Sequence, residues 1–279
     1  MTLNQNNSHP LAGLWVLVTR PAHQSADFIA ALRSLGAEPI AFPTIEIVPL
    51  EDTAPLDEAI RQIASGSLVN EATPPRDLAS SPHPAYHWLV LTSANGVTAW
   101  WDRLEAAGLD ARCLAGVKIA AIGPATAAAL KQRSIIPDLV PEVYTAEGIL
   151  EAFDRLGPVA GRRFLLARAD IARRALAKGL VARGAQVDEI ASYRTVPVSS
   201  GPLPPAADII TFTSSSTVQG FVNCLAGRSP AEVVQRSQVV CIGPITAATA
   251  QELGVPVTAV AEEYTIEGLL AMLKSLVQK

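Results

Sequence analysis

Two short motifs recur along this chain at one fixed spacing, and the recurrence limits what it can fold into. Gly123-Pro124, within Ile119–Lys131 (IAAIGPATAAALK), returns 120 residues later as Gly243-Pro244, within Val239–Gln251 (VVCIGPITAATAQ). Tyr144–Gly148 (YTAEG) returns at the same 120 as Tyr264–Gly268 (YTIEG). The Thr-Ser turns at Ser93 and Ser214 are 121 apart, while Arg20 and Arg168, and the Gly-Ala pairs at Gly36 and Gly184, are 148 apart. A chain that repeats an ordered set of turn signals is built from two units of like topology. The larger early offset mostly accommodates a Pro-rich stretch at residues 70–86 (NEATPPRDLASSPHPAY), read as a surface insertion, and the helix before it.

Each Gly-Pro unit reads as strand, tight turn, helix. The apolar run is a buried-strand candidate, glycine permits the sharp turn, and proline suits a helix's first turn, where its missing N–H is not needed. At such a junction free backbone amides and the positive end of the helix dipole converge, which suits a carboxylate or phosphate. Most such turns bind nothing, but two copies in one chain raise the chance that they hold a ligand.

The remaining segments alternate in the same way. Strand candidates are Leu14–Thr19, Pro39–Val48, Trp88–Thr92, Val117–Ile122, Asp138–Pro141, Arg163–Ala167, Gln186–Val196, Asp208–Thr213 and Val257–Val260. Helices are expected after Arg20-Pro21, with Phe28, Leu32 and Leu35 on one face, and over Leu56–Ser65, Val97–Ala107, Thr145–Phe153 and Ala172–Arg183. Further helices are expected up to Leu225, after each Gly-Pro, and at the end of the chain. Alternation at this spacing predicts parallel, helix-covered sheets, hence two α/β domains. Open parallel sheets bind ligands beyond the carboxyl ends of their strands, where all of these turns lie. Two facing domains would surround a cleft with helix N-termini and hydroxyls. On the repeat alone, the chain divides into contiguous halves near residue 157.

Composition excludes several classes. The 279 residues are 49% hydrophobic and 17% charged, enough for a sizeable core and unlike a disordered chain. No apolar run reaches the roughly 20 residues of a membrane span, and the start MTLNQNNSHP is unlike a secretory signal. Cys113, Cys224 and Cys241 lie far apart without a CxxC, which fits a reducing, cytoplasmic compartment and no metal cluster. A net charge of −4 argues against nucleic-acid binding, and any anionic ligand must be held by local features.

Chemistry-bearing residues are few. GxxxxGK, GxGxxG and GxSxG are absent, and of His9, His23, His83 and His87 only His23 lies near a strand's carboxyl end, more as a helix-start residue than a base. Arg20 and Arg168 each follow a strand, either as a bidentate clamp on a carboxylate or as a surface arginine over a neighbouring loop. Ser93, Ser214, Thr126 and Thr246 suit ligand hydrogen bonding, helix capping, or both. Tyr193 stands apart because its repeat counterpart, 148 residues earlier, is Ile45. One copy manages without the hydroxyl, so it is either a half-buried edge aromatic or a phenol able to act as a general acid.

The ordered set VLVTRP, VLTSANGV, IAAIGPAT, LLARAD…RRAL, ASYRTVP, TFTSSST, CIGPIT and EEYTIEGL resembles the uroporphyrinogen-III synthase family, from Leu14 to Leu273. The resemblance implies an α/β fold of two similar, flavodoxin-like parallel-sheet domains joined by a two-stranded β linker. Residues 1–42 with 196–279 would form one discontinuous domain, 48–190 the other, and 43–47 with 191–195 the linker strands. The implied activity is a cyclising hydro-lyase step of tetrapyrrole and heme biosynthesis. It turns linear hydroxymethylbilane, with eight carboxylates, into uroporphyrinogen III, with loss of water and inversion of ring D through a spiro-pyrrolenine. No cofactor and no metal are implied. The expected protein is a monomer, making at most transient contact with the preceding pathway enzyme and none with nucleic acid or membrane.

Carried over by position, Tyr193 matches the family tyrosine assigned to hydroxyl departure. Thr126 and Thr246 match the Gly-Pro-x-Thr threonines, Ser93 and Ser214 the turn serines, and Arg20, Arg168 and Arg173 the basic substrate-binding positions. The sequence departs from the family at Ala169-Asp170, where a glycine is usual, and this weakens the match at Arg168. A second reading stays open from the residues alone: a non-catalytic cytosolic binding or sensor protein for an anionic small molecule.

Overall fold

A computed structural model of the chain describes residues 9–67, 85–171, 174–198 and 203–278. Along the chain, β1 (Trp15–Val18) is followed by a 3-10 turn at Ala22–Gln24, α1 (Ala26–Ser34), β2 (Glu38–Ala41), β3 (Ile45–Val48) and α2 (Ala54–Ser67). Next come β4 (Trp88–Leu91), α3 (Ala94–Ala106), β5 (Lys118–Ala121), α4 (Pro124–Gln132), α5 (Ala146–Leu156), β6 (Arg163–Ala169), α6 (Ala175–Ala182) and β7 (Gln186–Pro197). The remainder is β8 (Ile209–Phe212), α7 (Ser215–Cys224), α8 (Pro230–Val233), β9 (Gln238–Cys241), α9 (Pro244–Glu252), β10 (Ala259–Val260) and α10 (Ile266–Val277).

The chain forms two compact units: Met1–Ile47 with Thr195–Lys279, and Val48–Arg194. The division into contiguous halves near residue 157 therefore does not describe the fold. The first unit holds a sheet of order β10-β9-β8-β1-β2, and the second sheet runs β3-β7-β6-β4-β5. Every pairing within the first sheet is parallel, as are β7 with β6, β6 with β4, and β4 with β5. The boundaries between units fall inside β3 and β7, which are sheet neighbours.

Strand alternation sends side chains to both faces of each sheet. In the second unit, Leu89, Leu91, Ile119, Ala121, Leu165 and Ala167 pack on one face against α2 and α3, with Trp100 and Ile60 at the centre. Trp88, Val90, Ala120, Phe164 and Leu166 face the other way, onto α5 and α6. There the Phe153 ring stands edge-on to Trp88 (4.9 Å) and Phe164 (5.2 Å). The first unit divides similarly, with Leu17, Ile210, Phe212 and Val239 on one face and Val16, Val18, Ile209 and Val240 on the other. Burial on both faces is why these strands read as unbroken apolar runs.

Several boundaries differ from the sequence expectation. The single strand expected over Pro39–Val48 is two, β2 and β3, and they belong to different sheets. Pro43 has no N–H for a ladder, and Thr44 fixes the break by donating its hydroxyl to the Thr217 carbonyl (2.8 Å). Asp138–Pro141 is reduced to one bridge, Ala120 with Leu139, because Pro137 and Pro141 bracket it without donors. Val257–Val260 shortens to β10, and the helix expected over Ala172–Arg183 is α6, with 172–173 outside the described residues. Most of the Pro-rich insertion, 70–84, also lies outside them.

At the amino-terminal edge of the second sheet, Tyr86 donates its hydroxyl to Asp188 (2.7 Å), which also accepts from the Arg163 guanidinium (2.6 Å). The guanidinium carbon lies 4.4 Å from the Tyr86 ring centroid. These contacts tie β6, β7 and the approach to β4 together, away from the carboxyl ends.

Arg103 of α3 binds Asp57 of α2 in bidentate fashion, both contacts at 2.7 Å. That hydrogen bonding holds the Asp57 carboxyl below its usual range. A depressed carboxylate contributes stability above its unfolded pKa of about 3.9, and loses it as pH falls through the folded value. The pair is part-buried and still reached by solvent, so its worth is about 1 kcal/mol at most. Asp57→Asn should lower the urea midpoint at neutral pH, and the gap to wild type should narrow in strong acid. A gap unchanged by pH would exclude the linkage.

Candidate functional site

Because the strands of the first sheet, and β7, β6, β4 and β5 of the second, run in parallel, the carboxyl ends of each set line up along one edge. In the second unit that edge carries the turns after β4 and β5 and the ends of β6 and β7. Ser93, extended at φ −156°, caps α3 by accepting the Gly96 N–H at 3.0 Å. Position 96 is tight: a β-carbon there would lie 3.3 Å from the Ser93 Oγ and 3.4 Å from the Ala167 carbonyl oxygen. The same Ser93 Oγ lies 2.9 Å from the Tyr193 hydroxyl.

Tyr193 reaches that position through a bulge. Arg168 pairs with Ala191, but Ala169 pairs with Tyr193, so Ser192 is an extra residue in β7. Its hydroxyl donates to the Arg168 carbonyl (3.3 Å). Bulges re-aim the side chain that follows, and here two successive residues, Ser192 and Tyr193, are both buried. Tyr193 is only 7% exposed. Burial pushes its phenol pKa up and the nearby Asp170 charge adds to that, while hydrogen bonds from Ser93 and Asn95 oppose the shift. The net direction is upward, so the group is a protonated phenol at neutral pH.

Thr126 is the third residue of α4, after Gly123 and Pro124, and is 4% exposed. Its counterpart Thr246, third in α9, is 5% exposed. Neither hydroxyl has a hydrogen-bond partner among the described residues. The two repeated motifs also meet in space: a β-carbon on Gly123 would lie 3.6 Å from Tyr144, and one on Gly243 would lie 3.3 Å from the Tyr264 ring. Thr145 and Thr265 cap α5 and α10, accepting from Gly148 (3.1 Å) and Gly268 (3.0 Å).

In the first unit Arg20, Ser214 and Thr246 follow β1, β8 and β9, which are adjacent in that sheet. Ser214 caps α7 in a capping box with Thr217, and its Oγ lies 2.9 Å from the Ser216 hydroxyl. Arg20 is part-buried, and its Nε is a fully buried nitrogen without a hydrogen-bond partner among the described residues. Burial lowers its pKa. This environment is unlike that of a surface arginine, because an unpaired buried cationic nitrogen is costly without an anion. Arg168 is 6% exposed and ion-paired with Glu189. Arg173 lies outside the described residues. His23 sits in the 3-10 turn, its Nε2 3.1 Å from the Gln24 Nε2.

Asn95 and Glu189 were not singled out from the sequence. Asn95 follows a capping serine and reads as an ordinary helix-start residue; its effect on the Tyr193 phenol comes from a strand far along the chain. Glu189 meets Arg168 across two strands. Among the described residues there is no group of three or more His, Cys, Asp or Glu able to hold a metal ion. None of the described helices is long and apolar enough to cross a membrane.

The family model of uroporphyrinogen-III synthase HemD matches residues 26–271. The chain is 35% identical over 277 residues to the uroporphyrinogen-III synthase of Synechococcus elongatus, covering 94% of each protein. It is 33% identical over 269 residues to the porphyrin biosynthesis protein HemD of Ruminiclostridium josui, covering 94% of this chain and 48% of that longer protein. In fold it resembles the crystal structure of a mutant uroporphyrinogen III synthase of Thermus thermophilus, with a TM-score of 0.64 and 21% identity, covering 95% of this chain and 99% of that one. On the family match and the extent of these identities, the chain belongs to the uroporphyrinogen-III synthase family.

Proposed function

We propose that this chain closes linear hydroxymethylbilane to uroporphyrinogen III, with Tyr193 as the acid that assists departure of the terminal hydroxyl. The observation that carries the residue assignment is the buried Tyr193 phenol, 2.9 Å from Ser93 at the carboxyl edge of the second sheet. The phenol proton goes to the leaving hydroxyl, which departs as water and leaves an azafulvene-type cation. Ring D attacks through its substituted carbon, giving a spiro-pyrrolenine that fragments and recloses in the inverted sense. The ring proton lost at rearomatisation restores the phenol, so no redox or metal step is needed for atoms and charge to balance.

Substrate closes unaided to the symmetric isomer, so the protein's main task is geometric. Binding energy is assigned chiefly to backbone amides at the starts of α3, α4, α7 and α9, supplemented by Ser93, Thr126, Ser214 and Thr246. Arg20 is assigned to a substrate carboxylate, an assignment supported by its unpartnered buried Nε. Arg168 and Arg173 complete the basic set, Arg168 only by exchanging Glu189 for a substrate carboxylate. A binding or sensor protein would take up one equivalent of ligand and stop. Sub-stoichiometric protein should therefore consume many equivalents of enzymatically generated hydroxymethylbilane faster than the blank. Uptake that halts at one equivalent would exclude catalysis.

A further inference from the structure

The start of α9 gathers three free donors. Pro244 has no N–H, and the Ala247 N–H donates to the Gly243 carbonyl (3.1 Å). The Ile245 and Thr246 amides are left without partners among the described residues. The third donor is the Thr246 hydroxyl, unpartnered among the described residues on an otherwise buried side chain. Its oxygen is not sealed in the core as the Arg20 Nε is, so it opens at the head of the helix.

Beside these donors stands a flat apolar surface. The Tyr264 ring lies against the Gly243 backbone: a β-carbon there would be 3.3 Å from both its Cγ and its Cδ1. A side chain at 243 would press on the ring, so glycine is what lets the aromatic face come this close to the turn. Tyr264 and Ile245 are both large, apolar and exposed. The second unit repeats the turn without this surface. Ala125 stands in place of Ile245, and Gly123 faces the Cβ and Cγ of Tyr144 at 3.6 and 3.7 Å.

We propose that Tyr264, Ile245 and Thr246 form a seat for one pyrrole ring of the substrate. The pyrrole packs on Tyr264 and Ile245, and the carboxylate of its acetate or propionate chain accepts from the Thr246 hydroxyl and the two free amides. A helix start with a hydroxyl takes any carboxylate. The adjoining aromatic surface favours one attached to a flat apolar ring. An acetate chain holds its carboxylate a single methylene from the pyrrole, so donors and aromatic face must adjoin, as they do across Gly243. The seat rests on the tetrapyrrole substrate proposed above, and it adds Tyr264 and Ile245 to the substrate-binding set.

Backbone-amide NMR of the full chain tests the seat with two probes: a monopyrrole bearing one acetate and one propionate chain, and the aliphatic dicarboxylate glutarate. In wild type both should shift the Ile245 and Thr246 amide signals, the monopyrrole at lower concentration. Tyr264→Ala should weaken the monopyrrole about three- to tenfold, the range of one aromatic contact, and leave glutarate binding as it was. Tyr264→Phe keeps the ring and should restore the monopyrrole affinity. A monopyrrole that leaves these amides unmoved, or that binds Tyr264→Ala as tightly as wild type, would overturn the seat. An equal loss for glutarate would overturn it too, because the ring would then only support the turn. Isomer III formation judges the substrate reading separately. If isomer III forms and Tyr264→Ala loses no monopyrrole affinity, the seat alone fails. If the monopyrrole binds as expected and only isomer I forms, the turnover fails and the seat stands.

Discussion

Tyr193→Phe is expected to lower kcat roughly a hundredfold, at the low end of what a positioned general acid supplies, and to leave KM within about threefold. The low end is appropriate because the pyrrole nitrogen's lone pair already assists loss of the hydroxyl. Phenylalanine keeps the ring in the same pocket, so the packing around this 7%-exposed side chain survives. What is lost is the proton and the hydrogen bond with Ser93. The pH dependence follows from the direction of the shift. An acid must be protonated to act, and burial raises this phenol above its ordinary value. The limb of kcat due to Tyr193 should therefore be flat through neutral pH and fall only in alkaline solution. A fall beginning below neutrality would assign the acid to another group. Unchanged turnover in Tyr193→Phe, measured as initial rate of macrocycle formation, would exclude the phenol.

Gly148→Ala and Gly268→Ala are expected to destabilise their units by about 2–3 kcal/mol each, although alanine is the better helix former by about 1 kcal/mol. A β-carbon at either position would lie 2.1 Å from a backbone oxygen, of Val143 or of Glu263. Backbone cannot move aside as a flexible side-chain tip would. Relieving the overlap means displacing the first turn of α5 or α10, and with it the Thr145 or Thr265 cap, itself worth about 1 kcal/mol. Urea unfolding of each single variant should show a lowered midpoint. A raised midpoint, as propensity alone predicts, would mean that the chain relaxes freely around these glycines. The glycine of Tyr-Thr-x-Glu-Gly thus recurs because the preceding loop passes directly over that helix position.

Features with a local cause could be read from the sequence. Gly-Pro and Thr-x-x-Gly signals follow from turn and cap geometry, and strands buried on both faces declare themselves as apolar runs. Their recurrence indicated two α/β units before any pairing was known. The assignment of strands to sheets is different, because it depends on partners far along the chain. Nothing within Pro39–Val48 says that β2 and β3 join different sheets; Thr44 reaching Thr217, 173 residues away, does. The same limit applies at the site. Tyr193 was conspicuous because its counterpart is Ile45, and Ser93 because it begins a helix. The bulge at Ser192 that re-aims Tyr193 has no local signal, because it is defined by pairing with β6. The two arginines also divided on non-local grounds: Glu189 occupies Arg168, while the Nε of Arg20 is buried without a partner among the described residues.

The isomer composition of the product is the most direct test of the whole account. Hydroxymethylbilane generated in situ, closed in the presence of the protein, oxidised and separated by chromatography, should give isomer III in excess of isomer I, at a rate proportional to protein. Isomer I alone, formed at the rate of the protein-free blank, would contradict it.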